Sequence, residues 1–392
     1  MNDAYLVDYA RTAFTRAHPR KPEVDAWSGQ RGDVLLGQVI DALLERTRLE
    51  GGTIEDLSVG CALPVKEQWS FGGRYPQWLS RLGLNCASRQ IDQQCGSSLA
   101  ALRGTVREIQ AGTVQAGLAG GFENMSRVPM GPALFQEGIL TVPDALQGAE
   151  DLDLGVAMNM GLTAERLASE SGISREAMDA FALRSHQRAA QAEQAGWFDG
   201  ERLALANPAG EVVARDANIR ADTSLERLAG LAPAFLEAGR VTAGNSSPLT
   251  SGAGAALVMA ESAMARHGLS PLARVVEVVD CGVAPERMGA GAAAAIERAL
   301  RVTGLRIEDI EAWEINEAFS AVPLYAMQAL GLDAEQVNVF GGALALGHPL
   351  GATGIRLTGT LARILHAQDK RYGCAAACIG GGQGIAVILE RV

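Results

Sequence analysis

The second half of this chain repeats its first. Ala42-Leu43 is echoed by Ala295-Ile296, Gly51 by Gly304, and Ile54-Glu55-Asp56-Leu57 by Ile307-Glu308-Asp309-Ile310, each pair 253 positions apart (295 − 42, 307 − 54). One shift shared by a helix end, a turn and a strand start indicates two copies of one unit. The first copy alternates strand and helix. Residues 4–10 read as a strand, and residues 31–48 as an amphipathic helix with Leu35, Leu36, Val39, Ile40, Leu43 and Leu44 on one face. Residues 58–65 and 114–122 read as further strands. That order predicts an α/β fold whose mostly parallel sheet carries helices on its faces. A chain of 392 residues exceeds one ordinary core, so two or three packed units are expected.

Between the copies the composition shifts toward charge and alanine. Helical patterns cover residues 160–169 and 174–195, the second opening on a Ser174 N-cap. The expected organisation is a first half over residues 1–122 and 241–272, an inserted helical and loop-rich subdomain over 123–240, and a second half over 273–392.

The 253 shift carries Cys95 to His348. Cys95 lies in Gln93-Gln94-Cys95-Gly96-Ser97-Ser98, where the extended stretch Ser88-Arg89-Gln90-Ile91-Asp92 gives way to a helix through Leu99, Leu102, Val106 and Ile109 that stops at Gly112. A thiol at a helix N-terminus is placed where free N–H groups and the macrodipole favour the thiolate. The alternative is a small buried hydrophobe, the commoner fate of a free cysteine. If the copies pack about a pseudo-two-fold axis, Cys95 and His348 face each other.

Three windows in the second copy add polar groups. Glu314-Ile315-Asn316-Glu317-Ala318-Phe319 follows a strand, His348 sits in the glycine-rich run 341–354, and Cys378 precedes Gly380-Gly381-Gly382. Each has a structural alternative: Asn316 as a helix cap, His348 bonded to loop carbonyls, Cys378 as core. The glycines lack a P-loop ending and a dinucleotide fingerprint. Together, two cysteines, a histidine and an amide supply a nucleophile, acid–base groups and an oxyanion donor.

Composition narrows the partners. A formal charge of −11 disfavours nucleic acid and anionic membranes, so an anionic substrate would need a local basic pocket. The six cysteines form no Cys-x-x-Cys pair and no zinc-type cluster with histidine, so no metal site is expected. Met1-Asn2-Asp3-Ala4-Tyr5 has neither a basic nor an apolar signal region, the apolar stretch 374–389 is broken by Gln383, and free thiols suit a reducing compartment. A cytoplasmic protein without a membrane span is the expectation.

The windows Gln94-Cys95-Gly96-Ser97, Gly244-Asn245-Ser246-Ser247, Asn316-Glu317-Ala318-Phe319, Gly347-His348-Pro349 and Cys378-Ile379-Gly380-Gly381-Gly382 stand in the order found in the thiolases, and the chain resembles that family along essentially its whole length. The resemblance implies duplicated α/β units with mixed sheets sandwiching helices, and reversible acyl transfer between coenzyme A thioesters. It implies Cys95 as the nucleophile and His348 as the group that takes its proton and holds the thioester oxygen. Asn316 would position a water in that oxyanion hole. Cys378 would be the second acid–base, and the Gly380 N–H, with that of Cys95, the other oxyanion hole. Arg220 and Ser247 match coenzyme A contacts. Acyl-CoA and CoA are then the ligands, with no further cofactor, in a homodimer or homotetramer.

Departures from the pattern touch substrate preference. Asn159 stands where short-chain acetoacetyl enzymes carry histidine, Pro248, Thr250 and Ser251 replace a glycine and Asn/Asp-Gly pattern, and Met288-Gly289-Ala290-Gly291-Ala292 lacks a Gly-Pro step. Two other readings compete: a decarboxylating ketoacyl synthase, disfavoured by the second cysteine, and a catalytically silent acyl-CoA or lipid binder, disfavoured by the presence of Cys95, His348 and Cys378.

Overall fold

The computed structural model describes residues 2–148 and 152–392, the side chains at 132 and 133 excepted. The strands that build the site are β1 (Ala4–Thr12), β2 (Asp56–Gly60), β3 (Ala87–Ile91), β4 (Ala116–Asn124), β5 (Thr250–Ala260), β6 (Ala273–Gly282), β7 (Ala312–Ile315), β8 (Tyr372–Ile379) and β9 (Gln383–Glu390). They lie in the order β7-β8-β9-β6-β1-β5-β4-β2-β3. The β1–β6 pairing, Tyr5 with Arg274 and Leu6 with Ala273, joins the two half-sheets into one. Outward from that seam the halves match: antiparallel neighbours first, then parallel pairs at β7–β8 and β4–β2–β3. The sheet is therefore mixed. The parallel pairing expected from strand–helix alternation holds only for the outer strands, because β5 and β9 return antiparallel beside β1 and β6.

Helices α1 (Gly32–Thr47) and α5 (Gly291–Thr303) cover the outer faces. Helices α2 (Ser97–Ala111) and α7 (Leu350–Ala367) fill the space between the half-sheets. The faces match their neighbours. Leu35, Val39, Ile40 and Leu43 of α1 pack with Leu57, Val59 and Leu257 in one outer core. Ala292, Ala295, Ile296 and Ala299 of α5 pack with Trp313 and Ile315 in the other. Helix α7 is buried continuously from Leu350 through Ala362, as an inner helix must be. Its Ile355, Leu357, Leu361 and Leu365 join Leu99, Leu102, Val106 and Ile109 of α2 in the central core, each such side chain contributing about 1.5–3 kcal/mol of burial.

The repeat is real, but its register differs from the echo in the sequence. Helices α1 and α5 end at left-handed caps, Arg48 (φ 55°) and Gly304 (φ 72°), followed by 3-10 turns at Gly51–Thr53 and Ile307–Asp309 that stop at Ile54 and Ile310. These equivalents are 256 positions apart (304 − 48, 310 − 54), so the Ile-Glu-Asp match at 253 is displaced by three residues. At the inner helices 253 does hold, since α2 starts at Ser97 and α7 at Leu350. Cys95 and His348 each precede their helix by two residues.

Strand β2 ends at Gly60, five residues short of the expected run, and β4 continues to Asn124. Between β4 and β5 lie α3 (Met160–Glu170) and α4 (Arg175–Gln194), the latter capped by Ser174 Oγ accepting from Ala177 N–H at 3.2 Å. Helix α6 (Ala321–Leu330) follows β7. Among the described residues no helix is long and apolar enough to cross a membrane.

Candidate active site

Cys95 occupies a 3-10 turn, Gln94–Gly96, that leads into α2. The preceding Gln94 holds a left-handed φ of 46°, uncommon for a residue with a side chain. Its own amide secures it. Nε2 donates to Ala62 O (3.1 Å) and Asp92 Oδ1 (3.2 Å), and the Gln94 N–H donates to Asp92 Oδ1 (2.9 Å). Cys95 is 7% exposed. Burial pushes its thiol up to about 11, opposed by hydrogen bonds from the Gly380 N–H and its own N–H. The helix start alone favours the thiolate. Loss of hydration outweighs it, and the free protein carries a thiol at neutral pH.

His348 enters from the other half. Gly347 before it has φ 106°, and a Cβ there would lie 2.7 Å from the Thr250 side chain, so the turn requires glycine. The His348 N–H donates to Thr250 Oγ1 (3.0 Å). Its Nδ1 lies 2.6 Å from Thr353 Oγ1, and its Nε2 3.2 Å from Asn316 Nδ2. The single Thr353 hydroxyl proton goes to Pro349 O (2.9 Å), so Oγ1 accepts from Nδ1–H. The ring is thereby the Nδ1–H tautomer, and its Nε2 lone pair accepts from Asn316 Nδ2. Burial first, then the Arg356 charge, push the imidazole down to about 3. It is a neutral base.

Asn316 follows β7, and its N–H donates to Ala376 O on β8 (2.8 Å). Helix α6 does not begin until Ala321, so Asn316 is not its cap. Its Oδ1 is buried with no partner among the described residues. The next residue, Glu317, accepts from Ser185 Oγ, Asn338 Nδ2 and Leu344 N–H and thereby pins the segment that leads to His348. Cys378 near the end of β8 is fully buried; burial, then the proximity of the Cys95 thiol, raise its own thiol. Leu350, two residues past His348, packs with Cys95 in one apolar cluster.

Cys95, His348, Asn316, Cys378 and Gly380 thus converge where α2 and α7 begin, at the seam of the two halves. Ser247 borders this group, its N–H donating to Ala318 O (2.9 Å). Arg220 does not join it: it lies exposed on a loop, where its N–H donates to His186 Nδ1 (3.2 Å) on α4. The departures also find places. Asn159 caps α3, accepting from Gly161 and Leu162 N–H; Thr250 supports His348; Ser251 donates to Asp25 Oδ2 (2.7 Å). Sequence reasoning missed Thr353, Thr250 as a support, and Glu123. The available signals were a hydroxyl one turn into the helix after His348 and an acid closing the apolar strand β4.

An α/β protein with two packed halves, a buried thiol and a neutral imidazole base at their seam is the arrangement of an acyl-transfer enzyme. The sequence matches the thiolase N-terminal domain over residues 4–262 and the thiolase C-terminal domain over 269–391. The 3-ketoacyl-CoA thiolases of Marinobacter nauticus and Shigella sonnei are 37% and 39% identical over all of this chain and 98% and 100% of theirs. The crystal structure of human mitochondrial 3-ketoacyl-CoA thiolase in complex with CoA superposes with a TM-score of 0.87 at 32% identity, covering 100% of this chain and 98% of that one. The chain belongs to the thiolase family.

Proposed function

We propose that the protein is an acyl-CoA:acetyl-CoA C-acyltransferase that cleaves or forms 3-ketoacyl-CoA by a ping-pong route through Cys95. In the cleavage direction, His348 Nε2 takes the Cys95 proton and the thiolate attacks the 3-keto carbon. The C2–C3 bond then breaks, leaving an acyl thioester on Cys95 and the acetyl-CoA enolate, whose carbon receives the Cys378 proton. Coenzyme A gives its thiol proton to the Cys378 thiolate, its sulfur attacks the thioester, and acyl-CoA is released as the departing Cys95 thiolate takes its proton back from His348. His348 with a water on Asn316 would hold the first oxyanion, and the Gly380 and Cys95 N–H groups the second. Protons and electron pairs balance with no further cofactor.

The observation that supports this reading most is that a neutral imidazole, its Nε2 accepting from Asn316 Nδ2, and a buried thiol that receives the Gly380 N–H stand at the two inner-helix starts that meet at the seam. Neutral thiol and neutral imidazole form the resting pair, and charge develops only when a thioester arrives. Incubation with acetyl-CoA, digestion and mass mapping should place the acetyl group on Cys95; label confined to Cys61 or Cys86 refutes the mechanism. We assign residues 123–240 as an inserted segment that reaches coenzyme A through Arg220, with halves at 1–122 plus 241–272, whose Ser247 is a second contact, and at 273–392. Arg220→Ala should raise the KM for CoA and leave kcat nearly unchanged. A homodimer or homotetramer is supported by the unpaired edge of β3 and an exposed aromatic group nearby, Trp69, Phe71 and Trp78 each about half exposed. Six unpaired cysteines favour a cytoplasmic setting.

A further inference from the structure

Glu123 is a fully buried acid in the last turn-ward residues of β4. Its Oε2 accepts from the Ala62 N–H (2.9 Å) and the Gly351 N–H (3.0 Å). Its Oε1 accepts from Gln68 Nε2 (2.5 Å) and lies 3.8 Å from the Cys61 Sγ donor. Among the described residues it has no cationic partner; the ionisable groups facing it are the thiols of Cys61, just past β2, and Cys95. Both backbone segments it holds lead to the site. The Ala62 carbonyl accepts from the side chain of Gln94, the strained residue before Cys95. Gly351 is the third residue after His348, in the first turn of α7.

We propose that the Glu123 carboxylate is a pH-sensitive positioning residue: ionised, it ties the turn behind Cys95 to the helix start behind His348 and holds nucleophile and base in register. This rests on the catalytic reading above. The carboxylate receives donors on both oxygens. Protonation on Oε2 displaces the Ala62 or the Gly351 N–H outright, and protonation on Oε1 leaves Oε2 a neutral oxygen that holds both more weakly than a carboxylate does. Burial without a cation raises the group to about 7, which puts the change in the neutral range. The sign matters. A carboxyl whose folded value lies above its ordinary one makes the fold more stable as pH falls through that window. Register and stability therefore move oppositely with pH, which a residue serving stability alone would not produce. His348 at about 3 and Cys95 at about 11 titrate outside the window. Glu314, buried beside Arg356 and raised to about 8, titrates near it, so the comparison must be with a Glu123 variant.

The test uses the full-length protein and Glu123→Gln, whose amide turns an N–H toward the same donors. Acetyl label is mapped first. Label away from Cys95 overturns the catalytic reading and this one with it. With label on Cys95, wild-type kcat for acetoacetyl-CoA thiolysis should fall on the acid side with a midpoint near 7. Glu123→Gln should lose about tenfold or more in kcat, lack that limb, and keep KM within about twofold. The urea midpoint of the wild type should rise relative to the variant as pH falls from about 7 to about 5. Gln68→Leu, which removes one donor to the carboxylate, should move the wild-type limb to higher pH, and it decides the matter if Glu123→Gln does not fold. Wild-type kcat or an unchanged acid limb in Glu123→Gln, or an unmoved limb in Gln68→Leu, overturns the assignment of Glu123 alone.

Discussion

Gly354 lies one turn into α7, where that helix meets the start of α2. A Cβ there would come 2.7 Å from the Leu99 backbone nitrogen, 2.6 Å from Leu99 Cγ and 2.9 Å from Ser98 Oγ, whereas ordinary contact begins at 3.4 Å. The contact with backbone falls 0.7 Å short (3.4 − 2.7), and backbone cannot rotate away. Two effects of Gly354→Ala then compete. Alanine inside a helix gains about 0.5–1 kcal/mol over glycine. Overpacking a filled core costs about 1–3 kcal/mol. The net expectation is a loss on the order of 1 kcal/mol, opposite in sign to the helix-propensity rule.

The larger effect should be on rate. Relief requires the starts of α2 and α7 to separate by several tenths of an ångström, and these carry Cys95 and His348. A misplacement of about 1 Å between reacting groups costs about a hundredfold. Gly354→Ala should therefore lose about ten- to a hundredfold in kcat with KM nearly constant, because the coenzyme A contacts assigned above lie elsewhere. Steady-state thiolysis of acetoacetyl-CoA with urea unfolding in parallel measures both. Wild-type kcat in a folded variant would refute the claim that this crossing sets the register.

Cys378→Ala should still acquire acetyl at Cys95 but lose about a hundredfold to ten-thousandfold in cleavage and condensation, the usual contribution of a general acid–base group; full condensation activity would remove Cys378 from the carbon-acid step. Alkylation of free Cys95 by iodoacetamide should speed about tenfold per pH unit from about pH 6 to pH 9, because a thiol raised to about 11 has not titrated there; a plateau near neutrality would show a preformed thiolate. Thr353→Val removes the acceptor of His348 Nδ1–H and should lower kcat about tenfold or more, while Thr353→Ser restores it; equal rates in the two variants would show that the hydroxyl does not fix the tautomer.

What could be read from the sequence depended on how far apart the interacting residues lie. The convergence of Cys95, His348 and Cys378 was legible because each stands beside glycines at an element boundary. The repeat was legible too, though at the wrong register for the outer helices. Residue order shows that Ile-Glu-Asp recurs, while only backbone shows that Arg48, not Gly51, is the partner of Gly304. Asn316 remained open between cap and site until α6 proved to start five residues later. Glu123 was invisible because its donors lie 61 and 228 residues away, and nothing local marks them. The charge state of Cys95 was only half legible for a similar reason. A helix start is local, whereas the burial that overrules it is assembled from Ala17, Ala62, Met125 and Leu350.

On the proposed reading the first half supplies the nucleophile and the second supplies Asn316, His348, Cys378 and Gly380, so the site exists only as well as the halves are registered. Two devices cross that seam: the steric fit at Gly354 and the hydrogen bonds from Glu123 to Ala62 and Gly351. If both act through the placement of the first turn of α7 against the Cys95 turn, their effects are not independent. Once Gly354→Ala has displaced that turn, the Glu123 contact to Gly351 is already weakened, and Glu123→Gln has less left to remove. The double variant should then lose less in kcat than the product of the single losses, with a coupling of about 0.5–3 kcal/mol, the range found for residues sharing one structural shift. Each single variant and the double are assayed at one pH above the Glu123 midpoint, where the wild-type carboxylate is ionised. Losses that simply multiply would mean that Glu123 and Gly354 serve the site by separate routes.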